Sequence, residues 1–340
     1  MDDRKQLILR AIIREYIGKV EPVSSKNITG RYGLDVSSAT VRNEMSCLER
    51  MGYIEQPHTS AGRIPSEMGY RYYVDYLMEK YRLAIREKQA IENRLDERVD
   101  KLESLLQKAG EILSELTNYP SIVSEPTMTQ KRYRHFKLVE INDTMALLVI
   151  VLDDSSIKNY QINLVGRLKE EDYKTISNIL NDRLAGQDIS GINSGMLPDW
   201  GYQSLNDKLV MEDILRALAN VVDQDNVHNI HISGTLNIFN QPEFKDIEKV
   251  RGLLNFFEQQ KSLQKLVESG REGISYRIGE EVPLDNLEGL SVITSTYCVN
   301  GKPVGTIGVI GPTRMDYSKS STLLEKISEN LGISLIRLMK

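Results

Sequence analysis

The segment from Val36 to Tyr73 constrains the fold of this chain most strongly: VSSATVRNEMSCLERMGYIEQPHTSAGRIPSEMGYRYY. It opens with hydroxyl residues that can cap a helix and continues with a helical pattern. A short β-like run, Tyr53–Gln56, then leads into a loop marked by Gly and Pro and on to another helix start. A helix, a strand, a loop and a helix in this order are typical of a winged helix-turn-helix, a fold that reads DNA.

The residues before this segment complete the helix-turn-helix pattern. They predict a first helix over Asp3–Gly18, stopped by Gly18, and a short second helix that begins near Ser24 and runs through Arg31. A turn follows, and Ser37 or Ser38 is placed to cap a third helix. Projection of that helix at about 100° per residue puts its apolar side chains on one stripe, which we expect to be buried: Val41, Met45 and Leu48.

The opposite face of the third helix is polar and has no acid at its centre. It consists of Ala39, Arg42, Asn43, Ser46 and Arg50. Arg can fork onto guanine and Asn onto adenine, while Ala allows close approach or touches a thymine methyl. A solvated helix face explains the same residue types, and only the hairpin that follows favours DNA. Our candidate DNA-binding residues are Ser37, Ser38 and Thr40 for phosphate, Ala39, Arg42, Asn43 and Ser46 for bases, and His58, Thr59, Ser60 and Arg63 on the wing.

Composition and charge narrow the class of protein. A chain of 340 residues is long enough for two or three domains, and its longest apolar run, Met145–Leu152, is too short to cross a bilayer. Residues 1–90 carry 15 Lys and Arg against 12 Asp and Glu, whereas the remainder carries 28 against 36. A mildly basic N-terminal segment on an otherwise acidic chain is typical of a protein that contacts DNA locally. Two cysteines and the absence of a signal-peptide pattern indicate a cytoplasmic protein.

Two segments after the head allow more than one interpretation. The tyrosine-rich stretch Met68–Tyr81 has helical core spacing, which favours packing behind the head over base stacking. Residues 79–120 predict an amphipathic linking helix with a heptad seam from Leu95 to Leu116. Such a short seam is an intermolecular coiled coil or, as we favour, a helix packed on the next domain.

The rest of the chain predicts an α+β domain that carries an insertion. Strands are expected at 137–141, 145–152 and 157–165, and helices at 169–184 and 209–222. Strand character returns at 230–239 and helical character at 243–267, before a hairpin around Asn300-Gly301 and a closing helix at 316–339. We place the insertion at residues 166–235.

Three blocks of sequence resemble the heat-inducible transcription repressor family HrcA of bacteria. The first is SSATVRNEM with LERMGYIEQPHTSAGRIPSEMGYRYYVDYL, the second is GTLNIFNQPEF at Gly234–Phe244, and the third is GKPVGTIGVIGPTRMDYSK at Gly301–Lys319. The resemblance extends over essentially the whole chain, and its N-terminal block is the most specific.

The resemblance implies a homodimeric repressor that binds double-stranded DNA at an inverted repeat, the CIRCE element, before operons of the groE and dnaK type. It also implies the GroEL chaperonin as the partner that maintains repressor activity, and no cofactor. The implied domains are a winged helix-turn-helix at 1–78, a linking helix at 79–120, a GAF-like domain at 121–165 with 236–340, and a dimerising insertion at 166–235.

Two other classes of function are weaker. A metabolite-responsive regulator would use the GAF-like domain as a small-molecule sensor, but no convergent set of polar ligands is evident. An enzyme or metalloprotein would need more than the four histidines present, and His228 and His231, three apart on a predicted strand, point to opposite faces.

Overall fold

The computed structural model describes most of the chain. The described residues are 1–32, 36–58, 61–96, 101–126, 132–153, 157–164, 168–187, 210, 212–214, 230–267, 273–282 and 289–338. They form two compact units, Met1–Pro126 with Asn229–Lys340, and Thr127–His228. Helices and strands occur in both units, so the fold is α+β, as the sequence predicted.

Helices and strands are numbered separately along the described chain. The helices are α1 (Asp3–Lys19), α2 (Ser25–Arg31), α3 (Ser38–Arg50), α4 (Glu67–Tyr72), α5 (Ile85–Asp96), α6 (Leu102–Thr117), α7 (Glu170–Leu184), α8 (Ile247–Glu258), α9 (Gln260–Val267) and α10 (Tyr317–Leu338). The strands are β1 (Ile54–Glu55), β2 (Ile64–Pro65), β3 (Ser121–Ser124), β4 (Tyr133–Asn142), β5 (Met145–Leu152), β6 (Ile157–Asn163), β7 (Ile230–Ser233), β8 (Ile274–Ile278), β9 (Leu290–Val299) and β10 (Lys302–Pro312).

The first helix ends one residue later than predicted. Asp2 caps its start, because the carboxylate accepts a hydrogen bond from the backbone N–H of Lys5 at 2.9 Å. At the other end Val20, not Gly18, takes the left-handed conformation, with φ of 59°, and its N–H donates to the carbonyl oxygen of Tyr16. A β-branched residue rarely adopts this conformation, so glycine was the natural but wrong choice for the helix end.

The tyrosine-rich segment packs behind the N-terminal helices, as favoured from the sequence. Tyr70 and Tyr73 are 2% and 3% exposed and belong to the core that contains α1 and α3. The helix is shorter than the spacing suggested, since α4 passes into one π-helical turn at Tyr73–Leu77 and residues 78–84 are not helical. Tyr81 is therefore exposed instead of buried.

The predicted linking helix is α5 and α6, with residues 97–100 outside the described part. Leu106, Ala109 and Leu113 of the heptad seam are fully buried, in the same core as Leu331 of α10. Helix α6 also contacts β3 and β7. The seam therefore packs inside the first unit, which is the interpretation preferred over a coiled coil.

A five-stranded antiparallel sheet forms the centre of the first unit. Its strand order is β7-β3-β10-β9-β8. The predicted hairpin is confirmed: β9 and β10 pair across Asn300 and Gly301, both with positive φ (51° and 77°), as the tightest hairpin turns require. Strand β7 is shorter than predicted, because Gly234 turns the chain at φ 66° into a 3₁₀ segment, Thr235–Asn240.

Alternate residues of this sheet enter two separate cores. Val123, Ile293 and Val309 pack in the core that contains α6 and α10, whereas their chain neighbours pack in the core that contains α8 and α9. Period-two alternation places neighbouring side chains on opposite faces. The sheet is thus covered on both faces by helices of the same unit.

The second unit contains its own antiparallel sheet, in the order β4-β5-β6, with α7 packed against β4. The Asn181 side chain accepts from the N–H of Phe136 at 2.9 Å and donates to its carbonyl oxygen at 2.8 Å, while Ser177 accepts from the N–H of Leu138. These side chains of α7 satisfy backbone groups of β4 that no strand pairs.

The unit boundaries differ from the predicted domain boundaries. We placed residues 121–165 with 236–340 and began the insertion at 166, whereas the second unit begins at Thr127 and takes in β4, β5 and β6. Of the described strands before residue 127, β3, which is four residues long, is the one that belongs to the five-stranded sheet. Hydrophobic alternation marks a strand but does not reveal which sheet it joins. The predicted helix at 209–222 lies mostly outside the described residues.

Candidate nucleic-acid interface

The third helix starts where the sequence placed it. Ser37 is the cap: its Oγ accepts from the N–H of Thr40 at 3.1 Å and lies 3.0 Å from the Thr40 Oγ1. Ser38 is the first helical residue, so the two serines and Thr40 cluster where the N–H groups of the helix are free. An anion at this end would meet hydroxyl groups and the positive end of the helix dipole.

The two faces of α3 are divided as predicted. Val41 and Leu48 are fully buried and Met45 is 5% exposed. Ala39, Arg42, Asn43 and Arg50 are exposed, and Ser46 is half-buried with its hydroxyl donating to the carbonyl oxygen of Arg42. We call these five residues together with Ser37, Ser38 and Thr40 the reading face.

Both acids of α3 are ion-paired. Glu44 pairs with Lys5 at 3.2 Å and with Arg4 at 3.7 Å, both on α1. Glu49 pairs with Arg63 at 2.8 Å. An acid left free beside the reading face would repel phosphate, so these pairs leave the positive charges of Arg42 and Arg50 on that face without an unpaired acid of α3 beside them.

The hairpin after α3 is held by close backbone approach. Val23, between α1 and α2, exchanges two backbone hydrogen bonds with Arg63, at 2.8 and 2.9 Å. Gly62 makes this possible, because a Cβ there would lie 2.6 Å from the carbonyl carbon of Val23. At the tip, the Gln56 side chain donates to the carbonyl oxygen of Ala61 at 3.2 Å. The hairpin is therefore tied to the helices at its base.

Arg63, which we predicted as a DNA-binding residue of the wing, is paired within the protein. Its side chain is 17% exposed and its guanidinium is ion-paired with Glu49 of α3. Arg63 and Glu49 lie 14 positions apart, and no pattern in the sequence predicts that they pair. His58 is exposed as expected, whereas Thr59 and Ser60 lie outside the described residues. Arg63 thus links the hairpin to the third helix.

A groove of about 400 Å³ lies between α2, α3 and the hairpin. Arg42 and Arg63 line it together with Ser24, Ser25 and Gln56, which the sequence analysis did not select. The Ser24-Ser25 pair repeats the Ser37-Ser38 pattern at a helix start, a signal that could have identified it. The groove brings two arginines and several hydroxyl or amide groups to one surface, the chemistry that phosphate and base edges require.

Comparison with known proteins identifies the family. The sequence model of the HrcA protein C-terminal domain matches residues 103–320. The heat-inducible transcription repressor HrcA of Pelotomaculum thermopropionicum is 40% identical over 346 residues, covering 100% of this chain and 98% of the relative. This chain belongs to the HrcA family. The HrcA of Carboxydothermus hydrogenoformans is 39% identical over 98% of the chain, and that of Bacillus pumilus is 38% identical over 99%.

A solved structure supports the fold over the same length. A protein whose 2.2 Å crystal structure was described as that of a hypothetical protein has a TM-score of 0.63 and 26% identity, and 99% of each chain is covered.

The HrcA family consists of heat-inducible transcription repressors, so the function of this chain is repression of heat-shock transcription. The HrcA family is a family of transcription repressors and not a family of enzymes.

Three further observations concern only the described residues. No helix among them is long and apolar enough to cross a membrane. Within the same ranges, no group of three or more His, Cys, Asp and Glu side chains is placed to hold a metal ion. His231 lies 3.4 Å from Glu125, and His228 falls outside the described part of the chain.

Proposed function

We propose that this HrcA-family chain is a homodimeric, sequence-specific repressor of chaperone operons that binds an inverted repeat of the CIRCE type. Residues 1–78 would be a winged helix-turn-helix, and the exposed, acid-free reading face on a capped helix is the observation that carries the proposal. Dimers place two recognition helices in successive major grooves, and an inverted repeat mirrors that two-fold symmetry. The site of action would be the cytoplasm.

The residues of the reading face have separate roles in this proposal. Arg42 and Asn43 read base edges, with Ala39 and Ser46 allowing close approach. Ser37, Ser38 and Thr40 hold phosphate at the helix start. On the hairpin, His58, Thr59 and Ser60 lie along the backbone or enter the minor groove. Arg63, being paired with Glu49, fixes the angle of the hairpin and presents its remaining edge to the groove.

The remainder of the chain would support dimerisation and regulation. Residues around the five-stranded sheet would form the GAF-like domain, and the second unit, Thr127–His228, would contribute to the dimer. Side chains of the described residues pack on both faces of the sheet, which disfavours the alternative of a metabolite sensor with a ligand pocket on this sheet. GroEL would maintain the repressor by returning it to its DNA-competent fold, so that heat, which diverts GroEL, relieves repression.

Selection of bound DNA from a random library tests the operator. We expect an inverted repeat to be enriched, and purified GroEL to raise the fraction of repressor that binds it. Enrichment of unrelated or non-palindromic DNA would contradict the dimeric operator. Unchanged binding with GroEL, together with reversible unfolding well above the growth temperature, would contradict the chaperonin mechanism.

Arg42→Ala tests base readout against charge. A base contact is worth about 1–3 kcal/mol of discrimination, so we expect the variant to lose affinity for the selected operator while retaining affinity for mismatched DNA. Arg86→Ala is the matched control, since it removes the same charge from an exposed position on α5. Equal losses on matched and mismatched DNA in gel-shift titrations at several salt concentrations would remove Arg42 from base readout.

A further inference from the structure

The N-terminal block shares its hydrophobic core with the rest of the first unit. We call residues 1–78 the reading head, and residues 85–126 with 230–338 the sheet body. Tyr70 of the head is buried against Tyr317 of α10, with ring centroids 5.9 Å apart, and Tyr317 also contacts Tyr276 of β8 at 6.5 Å. One continuous hydrophobic core runs from α1 through these rings to α10. Head and body therefore share a packed joint.

A set of polar contacts lies beside this joint. Arg71 of α4 forks onto Glu281: its Nε lies 2.9 Å from Oε1, and a second guanidinium nitrogen contacts Oε2. That second nitrogen also donates to the carbonyl oxygen of Tyr276 at 2.9 Å. One turn earlier on the helix, the Glu67 carboxylate accepts from the N–H of Glu280 at 3.0 Å. We call Glu67, Arg71, Glu280 and Glu281 the latch.

The backbone of the body is shaped to receive the head at this point. Gly279 has φ of 57°, and the space that a Cβ would take there is filled by the Glu67 carboxylate. A side chain at residue 279 would be strained and would also displace Glu67. The latch is thus a fitted contact between two segments more than 200 residues apart.

The chain segment that leaves the head is fixed as well. Arg10 and Arg14 of α1 hold the Glu79 carboxylate at 2.8 and 2.7 Å, and the hydrogen bond from Arg14 lowers the pKa of that carboxyl. Ser318 of α10 donates to the carbonyl oxygen of Glu79. The linker therefore starts from a fixed point on both the head and the body.

The latch is better suited to orientation than to stability. Its ion pair is partly exposed, with side-chain exposures of 28% for Arg71 and 44% for Glu281, and such pairs contribute little to unfolding free energy. A guanidinium that forks onto a carboxylate does, however, fix the relative angle of its two elements. Glu67 and Arg71 belong to α4 and are absent from the reading face, so they would act on DNA only through the position of the head.

We propose that Arg71 is a positioning residue that, through its ion pair with Glu281, sets the angle of the reading head on the sheet body, and thereby the half-site spacing that the dimer accepts. This inference rests on the proposed dimeric repressor. One added base pair moves a half-site by about 3.4 Å and rotates it by about 34°. A head held by the latch cannot follow that change without breaking the contacts to Glu280 and Glu281.

The test compares spacer tolerance in variants of the full chain. Arg71→Gln, Glu281→Gln and their double variant remove the ion pair; Arg94→Gln is the matched control, because it removes a 2.8 Å pair with Glu115 that lies wholly within the sheet body. Each protein is titrated with the selected operator, with operators whose spacer is changed by one or two base pairs, and with a single half-site. Circular dichroism verifies that each variant is folded. If Arg71→Gln does not fold, Glu281→Gln alone tests the loss of the ion pair.

We expect wild type and Arg94→Gln to lose about tenfold or more in affinity for each changed base pair, on the order of one lost specific contact. The latch variants should lose no more than about threefold, bind a single half-site like wild type, and show no further loss in the double variant. In the absence of DNA, faster hydrogen exchange at the Glu280 amide of the variants would show that the reading head has been released from the sheet body.

Two outcomes separate the inference from its basis. If wild type has a sharp spacer optimum and the latch variants keep it, or lose affinity equally for every DNA including the half-site, the positioning role is wrong and the repressor proposal stands. If wild type shows no preference for paired half-sites, the dimeric operator is wrong and the positioning role is overturned with it.

Discussion

Replacement of Gly62 by alanine should loosen the hairpin from the helices of the reading head. The added Cβ would lie 2.6 Å from the carbonyl carbon of Val23 and 2.8 Å from that of Pro22, whereas ordinary contact begins near 3.4 Å. Both neighbours are backbone atoms and cannot rotate away. The two segments must separate, and the two hydrogen bonds between Val23 and Arg63 are lost.

The expected cost follows from those two bonds. At about 1 kcal/mol for each backbone hydrogen bond the loss is roughly 2 kcal/mol. The lower entropy of alanine in the unfolded chain offsets about 0.5 kcal/mol of this. Urea unfolding followed by circular dichroism should show the lower midpoint, and hydrogen exchange should show lost protection at the amides of Val23 and Arg63. Operator affinity should fall as well, since Arg63 no longer sets the hairpin against Glu49.

Gly18→Ala is the matched control for this substitution. Gly18 is exposed near the end of α1, and a Cβ there meets nothing within 4 Å. Alanine is favoured over glycine in a helix by about 0.5–1 kcal/mol, so this variant should be slightly stabilised. If Gly62→Ala unfolds at the wild-type midpoint with Val23 and Arg63 still protected, the close-approach argument is refuted.

Three further substitutions test the packing, a helix cap and a buried phenol. Leu106→Ala, at a fully buried position of α6, should cost about 3 kcal/mol in urea unfolding through cavity formation; a loss under 1 kcal/mol would place the seam outside the core. Ser66→Ala removes the acceptor for the N–H of Gly69, and should cost about 1 kcal/mol and raise exchange at that amide. Burial raises the pKa of the Tyr317 phenol above its ordinary 10.0, so the contribution of this group to stability should be constant below pH 10 and fall as pH rises further, and Tyr317→Phe should flatten the alkaline slope. A slope unchanged in Tyr317→Phe would assign the alkaline loss to other groups.

Local patterns predicted those parts of the molecule that local physics determines. The buried stripe Val41, Met45 and Leu48 follows from helical periodicity, and the Ser37 cap follows from hydroxyl chemistry at a helix start. The turn at Asn300-Gly301 follows from the positive φ that a tight hairpin demands. Each of these depends on residues within one helix or one hairpin.

Contacts between distant segments could not be predicted in the same way. Arg63, predicted on the wing, donates a hydrogen bond to Glu49 of α3. Arg71 and Glu281 of the latch are in contact although they lie 210 positions apart. The three strands β4–β6 alternate like those of the larger sheet, yet among the strands that the structure describes they pair only with one another. In each case tertiary packing decided which partner the residue or strand has.

Division of the first unit into two stretches of sequence has a consequence during synthesis. Helix α6 buries Leu106 and Leu113 against α10, and β3 pairs with β7 and β10. A ribosome that adds about 5–20 residues per second takes roughly 10–40 s to reach α10 after completing α6. Throughout that interval α6 can pack on α5 and β3 but not on α10. Every new molecule therefore passes through a period in which the apolar residues of α6 that share a core with α10 are still uncovered on that side, and this core closes only when almost the whole chain has been made.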